Sequence, residues 1–244
     1  MSGQGHAALV LVHGGWFTGA CWKPVLPHLS ATCLTPDLPG RAGRPADLTT
    51  LTIGDLARAV ADDIDAAGLD HVVLVGHSLA GVVIPQVASL LPHRIRRLVF
   101  LSATVPREGT SALDGFPPLI RAAMRRRLRS GLSPRPPRVL ARWSYCRDLP
   151  PSTAEHVLSH LVDDAAGALL EPVSRTGLPA VPRTYIRLRR DRALPLTAQQ
   201  RQITHLGDTD ITDLDCGHLA MYEQPARLAS LLDHLTARKE PVHE

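Results

Sequence analysis

The segment Gly76-His77-Ser78-Leu79-Ala80-Gly81 sets one serine between an apolar run and an amphipathic one. The run before it, His71–Gly76 (HVVLVG), is the most strand-like in the chain, and a helix is predicted from Ala80 to about Leu91. A serine on so tight a strand-to-helix turn has its hydroxyl pushed out above the strand end, as in a nucleophile elbow. Strand and helix then nearly touch, so the positions two before and two after the serine must be small. Gly76 and Ala80 meet that need. The helix start beneath the serine offers N–H groups and a favourable dipole to a developing oxyanion. A serine alcohol is a weak nucleophile near neutral pH, however, and needs a base that a third group orients.

Both partners are available in the chain order serine, acid, histidine. Asp191 follows a predicted strand, Thr184–Leu188, and His218 follows another, Thr209–Leu214. A histidine takes and returns a proton near neutrality. Asp213 and Asp215 compete with Asp191. Asp213 lies within its strand, and Asp215 is too close in sequence to reach round to the far ring nitrogen of His218 easily. Among the other histidines, His77 diverges from Ser78 on the turn and is assigned a structural role. His28, His93, His156, His160 and His234 fall on helices or their ends and are expected in solvent, His205 in a linker and His243 in the tail. After the first strand, His13-Gly14-Gly15 lets the backbone come close to a substrate. The backbone N–H groups of Gly15 and Leu79 are assigned to the oxyanion hole, and Trp16 and Phe17, which follow directly, to the substrate pocket.

The elements that must hold these residues alternate. Ala7–Val12 reads as a buried parallel strand, Ala20–Leu29 as a first helix, and Thr32–Thr35 as a short strand. Thr52–Ala67 reads as a helix with Thr52 as its cap and Asp55 three residues on. Arg97–Leu101 is a further strand, and Leu194–Ile203 and Pro225–Thr236 are helices. This predicts an α/β domain over residues 1–244, with a mostly parallel sheet and helices on both faces. Pro106 to Pro182 breaks the rhythm: it has no strand signal and holds 11 of the 21 prolines. With helical pieces Leu119–Arg129 and Thr153–Leu170, it is read as an inserted helical cap over 107–182. Its larger apolar residues, Phe116, Leu119, Ile120, Met124, Leu128, Trp143 and Tyr145, either pack the cap onto the core or line a pocket over Ser78.

Composition narrows the classes. With 44% apolar and 20% charged residues, the 244-residue chain is an ordinary globular one. Four cysteines without CxxC spacing suggest neither a disulfide framework nor a metal site, and Cys33 is expected to be buried. The apolar run at the N-terminus is too short for a leader or a membrane span, so a soluble cytoplasmic protein is expected. The net charge of +4 is uneven: nine arginines and no acid lie between Gly115 and Arg147. Without stacking aromatics or a known module this predicts no nucleic-acid partner and leaves two readings, a solvated helix face or a steer for an anionic substrate.

The chain resembles the α/β-hydrolase fold superfamily. Within it, the resemblance is to the branch of plant methylesterases, hydroxynitrile lyases, polyneuridine aldehyde esterase and bacterial esterase-like proteins. The shared pieces are VLVHGG (10–15), the Trp22 helix, TPDLPG (35–40), VVLVGHSLAG (72–81), RRLVFLSATVP (96–106), YIRLRRDRALP (185–195) and CGHLAMYEQP (216–225). The resemblance implies a Ser78–Asp191–His218 triad, a helical cap before the acid-bearing strand, no cofactor and no metal. Lyases of this branch carry a lysine after the catalytic histidine and a threonine in the early loop. Leu219 and Gly14 stand there instead, which counts against cyanohydrin cleavage and puts Leu219 among the pocket residues. Ser78 counts against the aspartate-nucleophile dehalogenases and epoxide hydrolases of the same fold. The expected activity is cleavage of a small, largely apolar carboxylic ester, lactone or thioester through an acyl-enzyme. The expected assembly is a monomer or homodimer with no membrane partner. The alternative is a non-hydrolytic binding or cyclising protein that uses the same capped pocket.

Overall fold

The computed structural model describes residues 7–41 and 43–237. The readings made for the first residues and for His243 lie outside them. The chain begins with β1 (Ala8–Val12), buried throughout. Two short 3₁₀ turns, Gly19–Trp22 and Leu26–His28, stand where one helix was predicted. Pro24 and Pro27 withhold the N–H groups that a continuous helix would need there. β2 (Cys33–Leu34) follows, with Cys33 half-buried rather than buried. α1 (Ile53–Ala66) starts in the predicted box: Thr52 Oγ1 accepts the Asp55 N–H at 3.0 Å, and the Asp55 carboxylate accepts the Thr52 N–H at 3.0 Å. Then come β3 (Val72–His77), a 3₁₀ turn over Ser78–Val82, α2 (Ile84–Leu90) and β4 (Ile95–Leu101).

Between β4 and the next sheet strand lies the insert expected to act as a cap. It holds α3 (Pro118–Arg127), β5 (Leu132–Ser133), α4 (Arg138–Tyr145), α5 (Pro151–Ser159), β6 (Asp164–Ala165) and α6 (Gly167–Leu170). The expectation of a strandless interval is corrected: β5 and β6 pair antiparallel, Leu132 with Ala165 and Ser133 with Asp164. The long helix predicted over Thr153–Leu170 is accordingly split at β6. Two-residue strands carry too few residues to show a period-2 pattern. The chain ends with β7 (Arg183–Leu188), α7 (Leu196–Leu206), β8 (Asp210–Leu214), α8 (Ala220–Glu223) and α9 (Pro225–Ala237). His205 lies in the last turn of α7, not in a linker, and its Nδ1 meets the Val105 carbonyl at 2.7 Å.

The sheet runs β2-β1-β3-β4-β7-β8 with every pair parallel. Val12, Gly76 and Phe100 stand side by side in register, so the loops leaving β1, β3 and β4 emerge together. Alternate residues face opposite layers. Val10, Leu74, Leu98 and Phe100 pack with Ile64 of α1, Val87 of α2 and Ile203 of α7. Leu9, Leu11, Val73, Val75 and Ile186 pack with Trp22 and with Leu228 and Leu232 of α9. The cap joins both layers, through Ala166 and Leu169 on one and Ala141, Ala154 and Leu158 on the other.

The cap's apolar residues divide. Leu128 is buried and Met124 half-buried, but Phe116, Leu119 and Ile120 are exposed, Leu119 to 86%, so neither expected role holds for these three. The arginines there meet local acids: Arg121 and Arg125 approach Asp114 at 3.6 and 3.0 Å, and Arg138 and Arg142 pair with Glu155.

Candidate active site

Ser78 adopts φ +52°, a left-handed conformation that a side chain disfavours. Its carbonyl accepts the Thr104 N–H at 2.8 Å, which ties the turn to the chain leaving β4. The close approach of the loop after β1 explains Gly14: a Cβ there would stand 2.9 Å from Ser78 Cβ. The elbow thus receives the loop after β1 on one side and the exit of β4 on the other.

Asp191 and His218 are both buried, on the turns that follow β7 and β8. His218 Nδ1 lies 2.6 Å from Asp191 Oδ2. The same oxygen accepts the Ser102 hydroxyl at 2.6 Å, and Oδ1 accepts the Leu194 N–H at 2.8 Å. Burial pushes the Asp191 pKa up. The His218 charge and these three hydrogen bonds outweigh it and hold the carboxyl below its ordinary value. With Nδ1–H given to the carboxylate, Nε2 is the ring nitrogen left to take a proton. The rival carboxylates are engaged elsewhere, Asp213 with Arg187 at 2.6 Å and Asp215 with Arg190 at 3.6 Å.

His77 is fully buried and braces His218. Its Nε2–H donates to the His218 carbonyl at 2.9 Å, and the two ring centroids are 4.7 Å apart. Burial first, then the His218 charge, brings its pKa down to about 3. His13 Nδ1–H donates to the Gly14 carbonyl at 2.9 Å while Nε2 accepts the Leu38 N–H at 3.2 Å, which fixes the tautomer. Burial, then the Arg41 charge, lowers its pKa to about 4. Both imidazoles are therefore neutral struts near neutral pH.

The aromatic surroundings come from two places. Tyr145, at the end of α4, stacks on His218 with centroids 5.2 Å apart and planes at 28°, and Phe17 meets Tyr145 edge-on at 5.8 Å. Burial drives the Tyr145 phenol well above its ordinary pKa. Trp16 turns into the cap, where its Nε1–H donates to the Ser133 carbonyl at 3.3 Å. Leu219 packs inside the core beside Met221 and Leu228. Trp143 was expected in the pocket, but it is half exposed on α4 with the Arg192 guanidinium 5.8 Å from its ring centroid. A recess of about 10 Å³ lies beside the oxyanion loop, walled by Gly14, Gly15, Leu38, Leu79, Val83 and Asp164. The Gly15 N–H donates to no protein group among the described residues. Sequence reasoning missed Ser102, whose only local signal is a hydroxyl one residue past a buried strand, and it missed Asp164, which no pattern marks.

The profile of the alpha/beta hydrolase family matches residues 9–231. A carbendazim hydrolyzing esterase from Nocardioides sp. (strain SG-4G) is 40% identical over 116 residues, which is 46% of this chain and 48% of that protein. The match thus spans about half the length of that relative. Methylesterase 7 of Arabidopsis thaliana is 24% identical over 91% of this chain and 94% of its own. Among solved structures, an extracellular alpha/beta-hydrolase from a Paenibacillus species superposes with a TM-score of 0.84 at 25% identity. That match covers 93% of this chain and 97% of the other, which is described as sharing structural and functional homology with tobacco salicylic acid binding protein 2. Matched by the profile over nearly its whole length, and similar to methylesterases over more than nine-tenths of it, the chain belongs to the alpha/beta hydrolase family.

Proposed function

We propose that the protein is a serine hydrolase that cleaves a carboxylic ester through an acyl-enzyme. His218 Nε2 takes the Ser78 proton as Oγ bonds to the ester carbonyl carbon, and the carbonyl electron pair moves onto oxygen. That oxyanion is received by the N–H groups of Gly15 and Leu79. Its collapse breaks the ester C–O bond, and His218 returns the proton to the leaving alcohol. A water then repeats the sequence on the acyl-enzyme, releasing the acid and restoring Ser78. Asp191 keeps the imidazole in the working tautomer and stabilises its charged form.

The observation that carries this reading is the buried 2.6 Å contact of Asp191 with His218, whose carbonyl is bonded by His77, the residue before a serine held at φ +52°. Relatives named as a carbendazim hydrolyzing esterase and as methylesterases support the ester class and a small alcohol.

The test is labelling with a fluorophosphonate, wild type against Ser78→Ala. The expected outcome is a covalent adduct in the wild type alone. An adduct that persists in Ser78→Ala, or none in either, removes the serine reading. A panel of esters graded by alcohol size should then show kcat/KM falling as the alcohol grows beyond methyl and ethyl.

A further inference from the structure

A deeply buried ion pair stands beside the oxyanion loop and belongs to no part of the triad. Asp164 of β6 is 3% exposed, and Arg41, on the loop that follows β2, is 1% exposed. Asp164 Oδ1 lies 2.5 Å from Arg41 Nη2. The same oxygen accepts the Ala165 N–H at 2.7 Å, and Oδ2 accepts the Trp16 N–H at 2.9 Å. Arg41 uses Nε–H on the Phe17 carbonyl at 3.1 Å and Nη1–H on the Pro39 carbonyl at 3.4 Å. Burying two charges costs several kcal/mol each, and an apolar pair of similar volume is often as stable or more so. Stability alone therefore gives no reason for this pair to be ionic.

Its position does. A Cβ on Gly15 would stand 3.2 Å from Asp164 Oδ2, so the carboxylate abuts the loop whose amide is to receive the oxyanion. Asp164 takes the Trp16 N–H, the next amide along, and leaves the Gly15 N–H uncommitted. Trp16 sits at φ +64°, which a bulky residue keeps only when held. Besides Asp164 it is held by the Val162 N–H, which donates to its carbonyl at 3.0 Å, and by the Ser133 carbonyl, which accepts its ring N–H. All three partners lie on or beside the cap's small β-ladder. A carboxylate so placed aligns the loop, yet its negative charge opposes the oxyanion that must form beside it. Arg41 is the countercharge.

We propose that Arg41 and Asp164 are a charge-cancelling positioning pair: the cap carboxylate holds the oxyanion loop, and Arg41 removes the carboxylate's penalty on the transition state. The proposal rests on the serine-hydrolase reading, with the Gly15 N–H as oxyanion donor.

The test measures fluorophosphonate inactivation rates and ester kcat and KM for wild type, Arg41→Met, Asp164→Asn and the double variant, with circular dichroism and thermal melting as fold checks. Arg41→Met leaves a bare carboxylate, so kcat and the inactivation rate should fall ~100-fold with KM changed less than about threefold, comparable to loss of an oxyanion donor. Adding Asp164→Asn should recover at least about tenfold of that loss, because the amide oxygen still accepts the Trp16 N–H without the charge. A double variant as slow as Arg41→Met, or an Arg41→Met with wild-type kcat, overturns the pair. Should Arg41→Met not fold, Arg41→Lys against Arg41→Gln decides. The lysine variant keeps the countercharge, so its kcat should stay at least about tenfold above that of the glutamine variant. Equal kcat in the two overturns the proposal. Failure of the wild type to form a Ser78-dependent adduct removes the hydrolase reading instead, which is a separate outcome of the same experiment.

Discussion

Ser102 stands one residue beyond β4 at φ +38°, and its hydroxyl shares Asp191 Oδ2 with the imidazole. Its hydrogen bond is to a charged group, of a kind that contributes about 1.5–3 kcal/mol, so Ser102→Ala should lower kcat ~10- to 100-fold. KM should hardly change, because the hydroxyl touches Asp191 and no substrate atom. Steady-state kinetics on a soluble ester would check the split, and a rise in KM at constant kcat would refute the role. Gly14 is constrained more by space than by hydrogen bonding. In Gly14→Ala the new methyl must displace Ser78 or the loop by some tenths of an ångström, since the carbons would otherwise stand 2.9 Å apart. A misplacement of about 1 Å costs ~100-fold in rate, so this smaller shift should cost about tenfold. The variant should melt near the wild-type temperature yet label slowly with fluorophosphonate.

At the scale of elements, the junction between the elbow and the exit of β4 is the tightest contact of the site. A Cβ on Gly81 would stand 2.4 Å from the Thr104 carbonyl oxygen, a backbone atom with nowhere to move. Gly81→Ala should destabilise the fold by about 1–3 kcal/mol, the range for forced overpacking, as read by urea unfolding. The same scale explains what the sequence revealed. The elbow, Asp191 and His218 each sit at the end of an apolar strand, so a local pattern marks them and chain order sorts them. The pairing of Asp164 with Arg41 spans 123 residues and joins a two-residue strand to a loop, neither with a periodicity of its own. The β5–β6 ladder is two residues long on each side, below any detectable pattern. Trp143 is half exposed, and an aromatic residue in such an insert reads alike in the sequence whether it faces inward or outward. Only the phase of α4, with Ala141 buried and Tyr145 on the imidazole, decides that.

For the whole molecule, the two buried neutral histidines set the response to acid. His77 and His13 have pKa values near 3 and near 4 in the fold, against 6.5 when unfolded. Their contribution is complete above pH 6.5. As the pH falls below 6.5 the unfolded chain binds protons that the folded chain refuses, and stability is lost until about pH 4 and then 3. The slope is about 1.4 kcal/mol per pH unit for each histidine, or about 3 together. Asp191, with its pKa lowered, adds a loss in the same direction only below its unfolded value of 3.8. Urea unfolding from pH 7 to 4.5 should show this decline, and His77→Gln should roughly halve its slope. A stability flat over that range would contradict neutral burial.

The placement of the cap carries a further consequence. β4 and β7 are direct neighbours, Leu98 beside Arg183 through Leu101 beside Ile186, although the entire cap is threaded between them. The insert crosses from the C-terminal end of β4 to the N-terminal end of β7, and its two ends meet beyond the sheet, where the Gly109 N–H donates to the Val173 carbonyl and the Val173 N–H to the Thr110 carbonyl, each at 3.0 Å. Closing a longer or shorter excursion there costs little, about 0.6 kcal/mol for each doubling of length. Recombination at this joint can exchange the insert while leaving the sheet's pairing unchanged. The exchanged piece would carry Tyr145 and Asp164 with it, so selectivity and reactivity would be inherited together as one cassette.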